Sequence, residues 1–129
     1  MPKLEKNTKV LIVDDEPNIL LSLDFLMKKN GHKVFLARNG QEALQLIEEE
    51  EPHLVILDIM MPDVDGYQIC EFIKKHPILN KIKVLFLSAK AKESHIAKGL
   101  EIGADDYMTK PFNNKILVEK VDFLLNQLN

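Results

Sequence analysis

The sequence predicts an α/β domain built on a five-stranded, doubly wound parallel sheet with helices on both faces. Short apolar blocks alternate along the chain with segments whose apolar residues recur on a helical period, and this pairing runs from the first strand to the last helix. The blocks Val10 to Val13 and Leu54 to Leu57 are continuously rather than alternately apolar, as strands covered on both faces are. The connections are short, so each helix serves as the crossover that neighbouring parallel strands require.

Each element has its own local signal. Lys9 to Val13 reads as a buried strand. Pro17 to Asn30 follows as a helix, with Ile19, Leu20, Leu23, Leu26 and Met27 on one face, Pro17 at its start and Gly31 as its C-cap. His32 to Ala37 is the second strand and Gln41 to Glu50 the second helix. Its acidic tail, Glu48 to Glu51, is a solvated helix end, unfavourable beside the helix C-terminus, and Pro52 finishes a marginal turn. Leu54 to Leu57 and Tyr67 to Lys75 form the third pair, with Pro62 and Gly66 shaping the turn between them and Asp65 capping the helix. Lys83 to Leu87 with Glu93 to Ile102, then Tyr107 to Thr109 with Asn114 to Leu128, complete the set. Residues 1–8 are expected to form a polar, mobile lead-in and residues 9–129 one domain, and no second domain or linker is expected within this sequence.

Composition narrows the function classes. A chain of 129 residues can bury a self-sufficient core. Its one cysteine, Cys70, lies beside Ile69, Phe72 and Ile73 and reads as a small hydrophobe at the core edge. A lone cysteine makes no internal disulfide, and a reducing, cytoplasmic location is expected. No apolar stretch approaches the ~20 residues of a membrane helix, and the N-terminus lacks the apolar region of a secretory signal. The net charge of −3 has both signs interspersed, so direct nucleic-acid binding is not expected. Lys74, Lys75, Lys81 and Lys83 form a loose basic cluster, read as a solvated helix end and strand start.

The chemistry sits where strands end. In doubly wound sheets, sites lie at the carboxyl ends of the strands beside a topological switch point. The first strand runs out into Asp14, Asp15 and Glu16, and the third into Asp58. With strand one between strands two and three, these ends are neighbours. Two like unit charges ~4 Å apart cost about 4 kcal/mol at an effective dielectric of ~20, so such a cluster calls for a cation. Hard oxygen ligands on a small rim suit Mg²⁺. Asp14 or Asp15 could equally cap the helix that starts near Pro17. Asp58 has no such alternative, because it follows four apolar residues and precedes Ile59, Met60 and Met61. The fourth and fifth strands deliver Ser88 and Lys110 to the same rim; each alone reads as an ordinary loop residue.

Together these positions carry a resemblance. From Val10-Leu11-Ile12-Val13-Asp14-Asp15-Glu16 to the last helix, the sequence resembles the response-regulator receiver family of two-component signal transduction. The segments Leu57-Asp58-Ile59-Met60-Met61-Pro62-Asp63-Val64-Asp65-Gly66 and Gly103-Ala104-Asp105-Asp106-Tyr107-Met108-Thr109-Lys110-Pro111-Phe112 match its motifs.

The resemblance implies the flavodoxin-like strand order 2-1-3-4-5 and a role for each rim residue. Asp58 is the expected phosphoacceptor. Asp15, Asp58 and the Met60 carbonyl are the expected direct Mg²⁺ ligands, and Asp14 acts through bound water. Ser88, where many relatives carry threonine, and Lys110 would each meet a phosphoryl oxygen. Pro111 would follow a cis peptide that aims the lysine inward. Ser88 and Tyr107 resemble the family's paired switch residues: a phosphoryl group draws Ser88 toward it, and the Tyr107 ring turns into the vacated space. The expected donor is a histidine kinase, a histidine phosphotransfer protein or a small phosphodonor. The expected behaviour is that of a self-phosphorylating acceptor with slow autodephosphorylation, not a turnover enzyme. The output, in a stand-alone regulator or a longer protein, stays open. Receivers joined to winged-helix domains commonly dimerise through the fourth helix, fifth strand and fifth helix, with an acidic residue early in the last helix. Ile116 stands at that position here, so a monomer or weak dimer is expected.

Other classes fit less well. An aspartyl-phosphate phosphohydrolase would place paired aspartates directly after a strand, whereas Asp63 and Asp65 lie in the loop beyond Asp58. A calcium loop registered on Gly66 would start at Met61 and end at Phe72, which excludes it. There is no Gly-rich phosphate loop, no Gly-x-Ser-x-Gly around Ser88 and no metal spacing among the histidines. A receiver-like interaction module without phosphorylation remains, opposed by intact Asp15, Asp58 and Lys110.

Overall fold

The computed structural model describes residues 8–128. Five parallel strands lie in the order β2-β1-β3-β4-β5, the order the family resemblance implies. They are β1 (Lys9–Val13), β2 (Lys33–Ala37), β3 (Leu54–Leu57), β4 (Lys83–Ser88) and β5 (Asp106–Thr109). The crossovers and final helix are α1 (Pro17–Lys29), α2 (Gly40–Glu50), α3 (Gly66–Lys75), α4 (Glu93–Ile102) and α5 (Asn114–Asn126). Residues 1–7, most of the expected lead-in, lie outside the described residues, while the Thr8 carbonyl accepts the Lys33 N–H at 2.9 Å. No helix among the described residues is long and apolar enough to cross a membrane.

The period-2 pleat divides the strands between two cores. Leu11, Val13, Val55, Leu57, Val84 and Phe86 face α2 and α3 through Ala43, Ile47, Ile69, Cys70 and Ile73. Val10, Ile12, Leu54, Ile56, Leu85 and Leu87 face α1 and α5 through Leu20, Leu23, Met27, Leu117, Val121 and Leu124. Burial on both faces is why these strands read as unbroken apolar runs. Cys70 is fully buried, and burial pushes its thiol up to about 12, so it is a core residue.

The structure moves some boundaries. α1 ends at Lys29 with Asn30 as its C-cap, and Gly31, at φ +90°, follows one residue later. α3 begins at Gly66 because Asp65 forms a capping box with Gln68. β4 gains Ser88 and β5 gains Asp106, since Ser88 pairs with Thr109 and Leu85 with Asp106. A single 3₁₀ turn, Leu79–Lys81, was not anticipated. The basic cluster is not wholly solvated: Lys74 and Lys83 are largely buried and meet Asp105 at 2.9 and 3.6 Å. Asp105 also accepts the Val84 N–H at 2.8 Å, so the two lysines brace the start of β4 against the turn into β5. Lys75, by contrast, is an exposed partner of Glu71.

Candidate functional site

Register places the site. Val13 pairs with both Ala37 and Leu57, and Leu57 with Phe86. The ladder then runs one residue past the strands: Asp14 N–H donates to Ala37 O, Asp58 N–H to Val13 O and Lys110 N–H to Ser88 O, at 3.1, 3.0 and 2.9 Å. Asp14, Asp58, Ser88 and Lys110 are therefore fixed by backbone hydrogen bonds at one rim.

Asp14, Asp58 and Ser88 are the polar side chains buried among the described residues, with 2%, 6% and 0% exposure. Buried polar groups need partners, and here they find one another. Carboxylate oxygens of Asp14, Asp15 and Asp58 lie within 4.8 Å of one another. Lys110 Nζ donates to Asp14 Oδ2 at 2.8 Å, Glu16 Oε1 at 2.9 Å and Asp58 Oδ2 at 3.2 Å. Burial raises the Asp14 carboxyl above its usual range, against the hydrogen bond from Lys110. Burial pulls the Lys110 ammonium down, but its bonds to Asp14 and Glu16 and the Asp58 charge outweigh this and raise it. Four carboxylates around one ammonium leave a surplus of negative charge. A set of hard oxygen donors this close fits a divalent cation.

Asp14 and Asp15 do not cap α1. Its N-cap is Glu16, without a side-chain cap, and Asp14 Oδ1 instead accepts the Glu16 N–H at 2.9 Å. That short turn aims the carboxylate into the rim, so the capping alternative fails for lack of the required geometry. Met60 is exposed, and its N–H donates to Asp58 Oδ1 at 3.3 Å. The Lys110–Pro111 peptide is cis. A Cβ at Gly66 would run into the backbone carbonyl of Asp58, which explains the glycine at the start of α3.

The Tyr107 ring lies inward: it is 8% exposed, 5.7 Å from the Phe86 ring, and its hydroxyl donates to Lys90 O at 2.6 Å. Burial pushes the phenol up to about 12. Ser88 Oγ accepts the Lys90 N–H at 3.3 Å, so both residues hold the β4–α4 loop.

The pairing of Glu16 with Lys110 and the tie of Asp63 to α2 were not read from the sequence. Glu16 is exposed yet bound to Lys110. Asp63 reaches back to α2, accepting from Gly40 N at 2.8 Å and Gln41 N at 3.0 Å, and the first of these bonds leads in holding its carboxyl below the usual range. It ties the loop after Asp58 to a neighbouring helix, a contact across 23 residues that no local spacing signals. Beside the rim, an open groove of about 470 Å³ runs past Asp15, Met60, Tyr67, Lys90 and Lys98.

Fold and rim together define a parallel α/β protein with an acidic, cation-competent centre at its strand ends. Comparison with known proteins narrows the class. The sequence profile of the response regulator receiver domain matches residues 10–122, and the chain belongs to that family. It is 39% identical over 121 residues to the alkaline phosphatase synthesis transcriptional regulatory protein PhoP of Bacillus subtilis (strain 168), covering 94% of this chain and 50% of that protein. The chain thus spans about half the length of this curated relative. Among solved structures, a putative response regulator from Chloroflexus aurantiacus J-10-fl is 36% identical, with a TM-score of 0.89 over 94% of this chain and 99% of that one. The BeF3-activated receiver domain of DrrB, from Thermotoga maritima, is 37% identical with a TM-score of 0.86, over 94% and 99% of the two chains.

Proposed function

We propose that this chain is a phosphorylation-dependent signalling switch in which Asp58 accepts a phosphoryl group from a phosphohistidine in a Mg²⁺-dependent reaction, altering the surface of α4 and β5. The observation that supports this most is the buried Asp58 carboxylate, held 3.2 Å from the Lys110 ammonium and grouped with Asp14 and Asp15. Asp14, Asp15, Asp58 and the Met60 carbonyl would hold the Mg²⁺, which when bound neutralises charge on the transferring oxygens.

This chain's own residues do the rest. A carboxylate oxygen of Asp58 attacks phosphorus in line, the P–N bond to the donor imidazole breaks, and its electron pair leaves with the imidazole. Lys110 exchanges a carboxylate for a phosphoryl oxygen, and the Ser88 hydroxyl donates to another. Phosphorylation favours the state in which the Tyr107 ring lies inward. Residues 9–129 act as the receiver domain, working in the cytoplasm as a monomer or weak dimer, with a histidine kinase or phosphotransfer protein upstream. Autodephosphorylation is slow, so this is a stoichiometric acceptor.

Incubation with phosphoramidate, a small P–N phosphodonor, tests the reading. One acid-stable, base-labile phosphoryl group per chain is expected with Mg²⁺ and almost none with EDTA. Sustained phosphate release from many donor equivalents would instead indicate a phosphohydrolase, and no incorporation a silent interaction module.

A further inference from the structure

α4 is anchored differently from the other helices. α1, α3 and α5 each bury at least three apolar or small side chains, whereas among the described residues α4 buries one position, Gly99. Glycine inside a helix weakens it relative to alanine, so its presence there calls for a packing reason. Directly beneath lies a row of three rings: Tyr67 and Tyr107 flank Phe86, each with its centroid 5.7 Å away. A Cβ on residue 99 would stand 3.0 and 3.1 Å from Phe86 Cδ2 and Cε2 and 3.2 Å from Tyr107 Cδ2. These separations are tighter than most carbon contacts, so a neighbouring ring would have to give by a few tenths of an ångström. Phe86 cannot easily move, being fully buried on an interior strand between the two tyrosines. Tyr107 sits on the edge strand β5, where an outward rotamer leads to solvent.

We propose that Gly99 is the positioning residue of the switch: its missing side chain provides the seat in which the Tyr107 ring lies beneath α4. The residue at 99 thereby sets the balance between inward and outward rings. The rings also tie α4 to the site. Tyr107 holds the loop before α4 through Lys90 O, and Tyr67, which opens α3 just after the Asp58 loop, donates to His95 O in the first turn of α4 at 3.2 Å. Displacing Tyr107 removes one of these two ties without touching Asp58, Lys110 or the acidic rim.

This inference rests on the switch reading, and its test separates the two. The chain holds two tyrosines, so a sample labelled at tyrosine ¹³Cζ gives two signals that can be followed with pH by NMR. In unphosphorylated Gly99→Ala, the Tyr107–Phe86 ring NOEs should be lost and the Tyr107 midpoint should fall from about 12 toward its ordinary 10, with Tyr67 NOEs kept. A purely helix-strengthening role for alanine would raise the melting temperature and leave Tyr107 unmoved, which would overturn the proposal. With beryllofluoride and Mg²⁺, the parent should shift amides across residues 93 to 107 and the variant should lose most of that response. An identical response in both would also overturn it. A parent without any response would count against the switch reading, while the resting-state NOEs would still decide the seat.

Discussion

Replacing Asp14 by asparagine isolates what the acidic rim costs the fold. The substitution keeps the shape and an oxygen that can accept the Glu16 N–H, and it removes one charge that is 2% exposed. Each neighbouring carboxylate within 4.8 Å repels Asp14 by about 3.5 kcal/mol at an effective dielectric of ~20. The attraction to Lys110 at 2.8 Å is about 6 kcal/mol in the same medium, so the charge–charge contributions roughly cancel and the cost of burial, the largest contribution, decides the sign. Lys110 keeps Glu16 and Asp58 as partners, and the burial cost of the charge disappears. The expected net effect without Mg²⁺ is a gain of about 1–2 kcal/mol, or roughly 4–7 °C in Tm for a domain of this size. Because the Asp14 carboxyl titrates higher in the fold than its ordinary 3.8, the folded state binds the proton more tightly than the unfolded chain. Its ionisation therefore costs stability in full at neutral pH, and that cost fades as pH falls through the folded-state value toward 3.8. Urea melts in EDTA at pH 7.5 and 4.5 measure both quantities. A variant less stable than the parent at pH 7.5, or a gap that widens on acidification, would refute the reasoning.

Three further outcomes are expected. Mg²⁺ at a hundred times its Kd should stabilise the parent by about 2.7 kcal/mol, roughly 10 °C in Tm, and Asp15→Asn should lose more than half of that gain; equal shifts in thermal scans would remove Asp15 from the ligand set. Ser88→Ala should still take up phosphoryl groups on Asp58 at a measurable rate, while amide shifts in residues 93 to 107 on adding beryllofluoride should shrink several-fold; undiminished shifts would send the signal by another route. Sedimentation with beryllofluoride should show no tight dimer through α4, β5 and α5, because Lys120 already pairs with Asp106 within the chain at 2.9 Å and Ile116 offers no charge; a tight dimer on that face would contradict this.

The sheet was legible because the strands are buried on both faces, which writes them as continuous apolar runs, and because short links force parallel crossovers. The rim was legible for the same reason: Asp14, Asp58 and Ser88 each terminate such a run. Boundaries shifted where a side chain overrode local pattern, as when the Asp65–Gln68 box drew Gly66 into α3. What sequence hid was long-range pairing. Asp63 on the N-terminus of α2, Glu16 on Lys110 and Asp105 between Lys74 and Lys83 join residues distant along the chain, and each looks like an ordinary solvated charge until the fold closes. The packing of the Tyr107 ring beneath Gly99 was hidden for the same reason, since a helical glycine carries no local signature of what it lies against.

The most direct test of the account is the site of phosphorylation itself. The protein and Asp58→Asn are incubated with acetyl phosphate and Mg²⁺, and intact and peptide masses are read at acidic pH. One phosphoryl group per chain, on the peptide containing Asp58 and absent from the variant, is the predicted result. Equal incorporation in the variant, or a phosphoryl group mapped to any other residue, would contradict it.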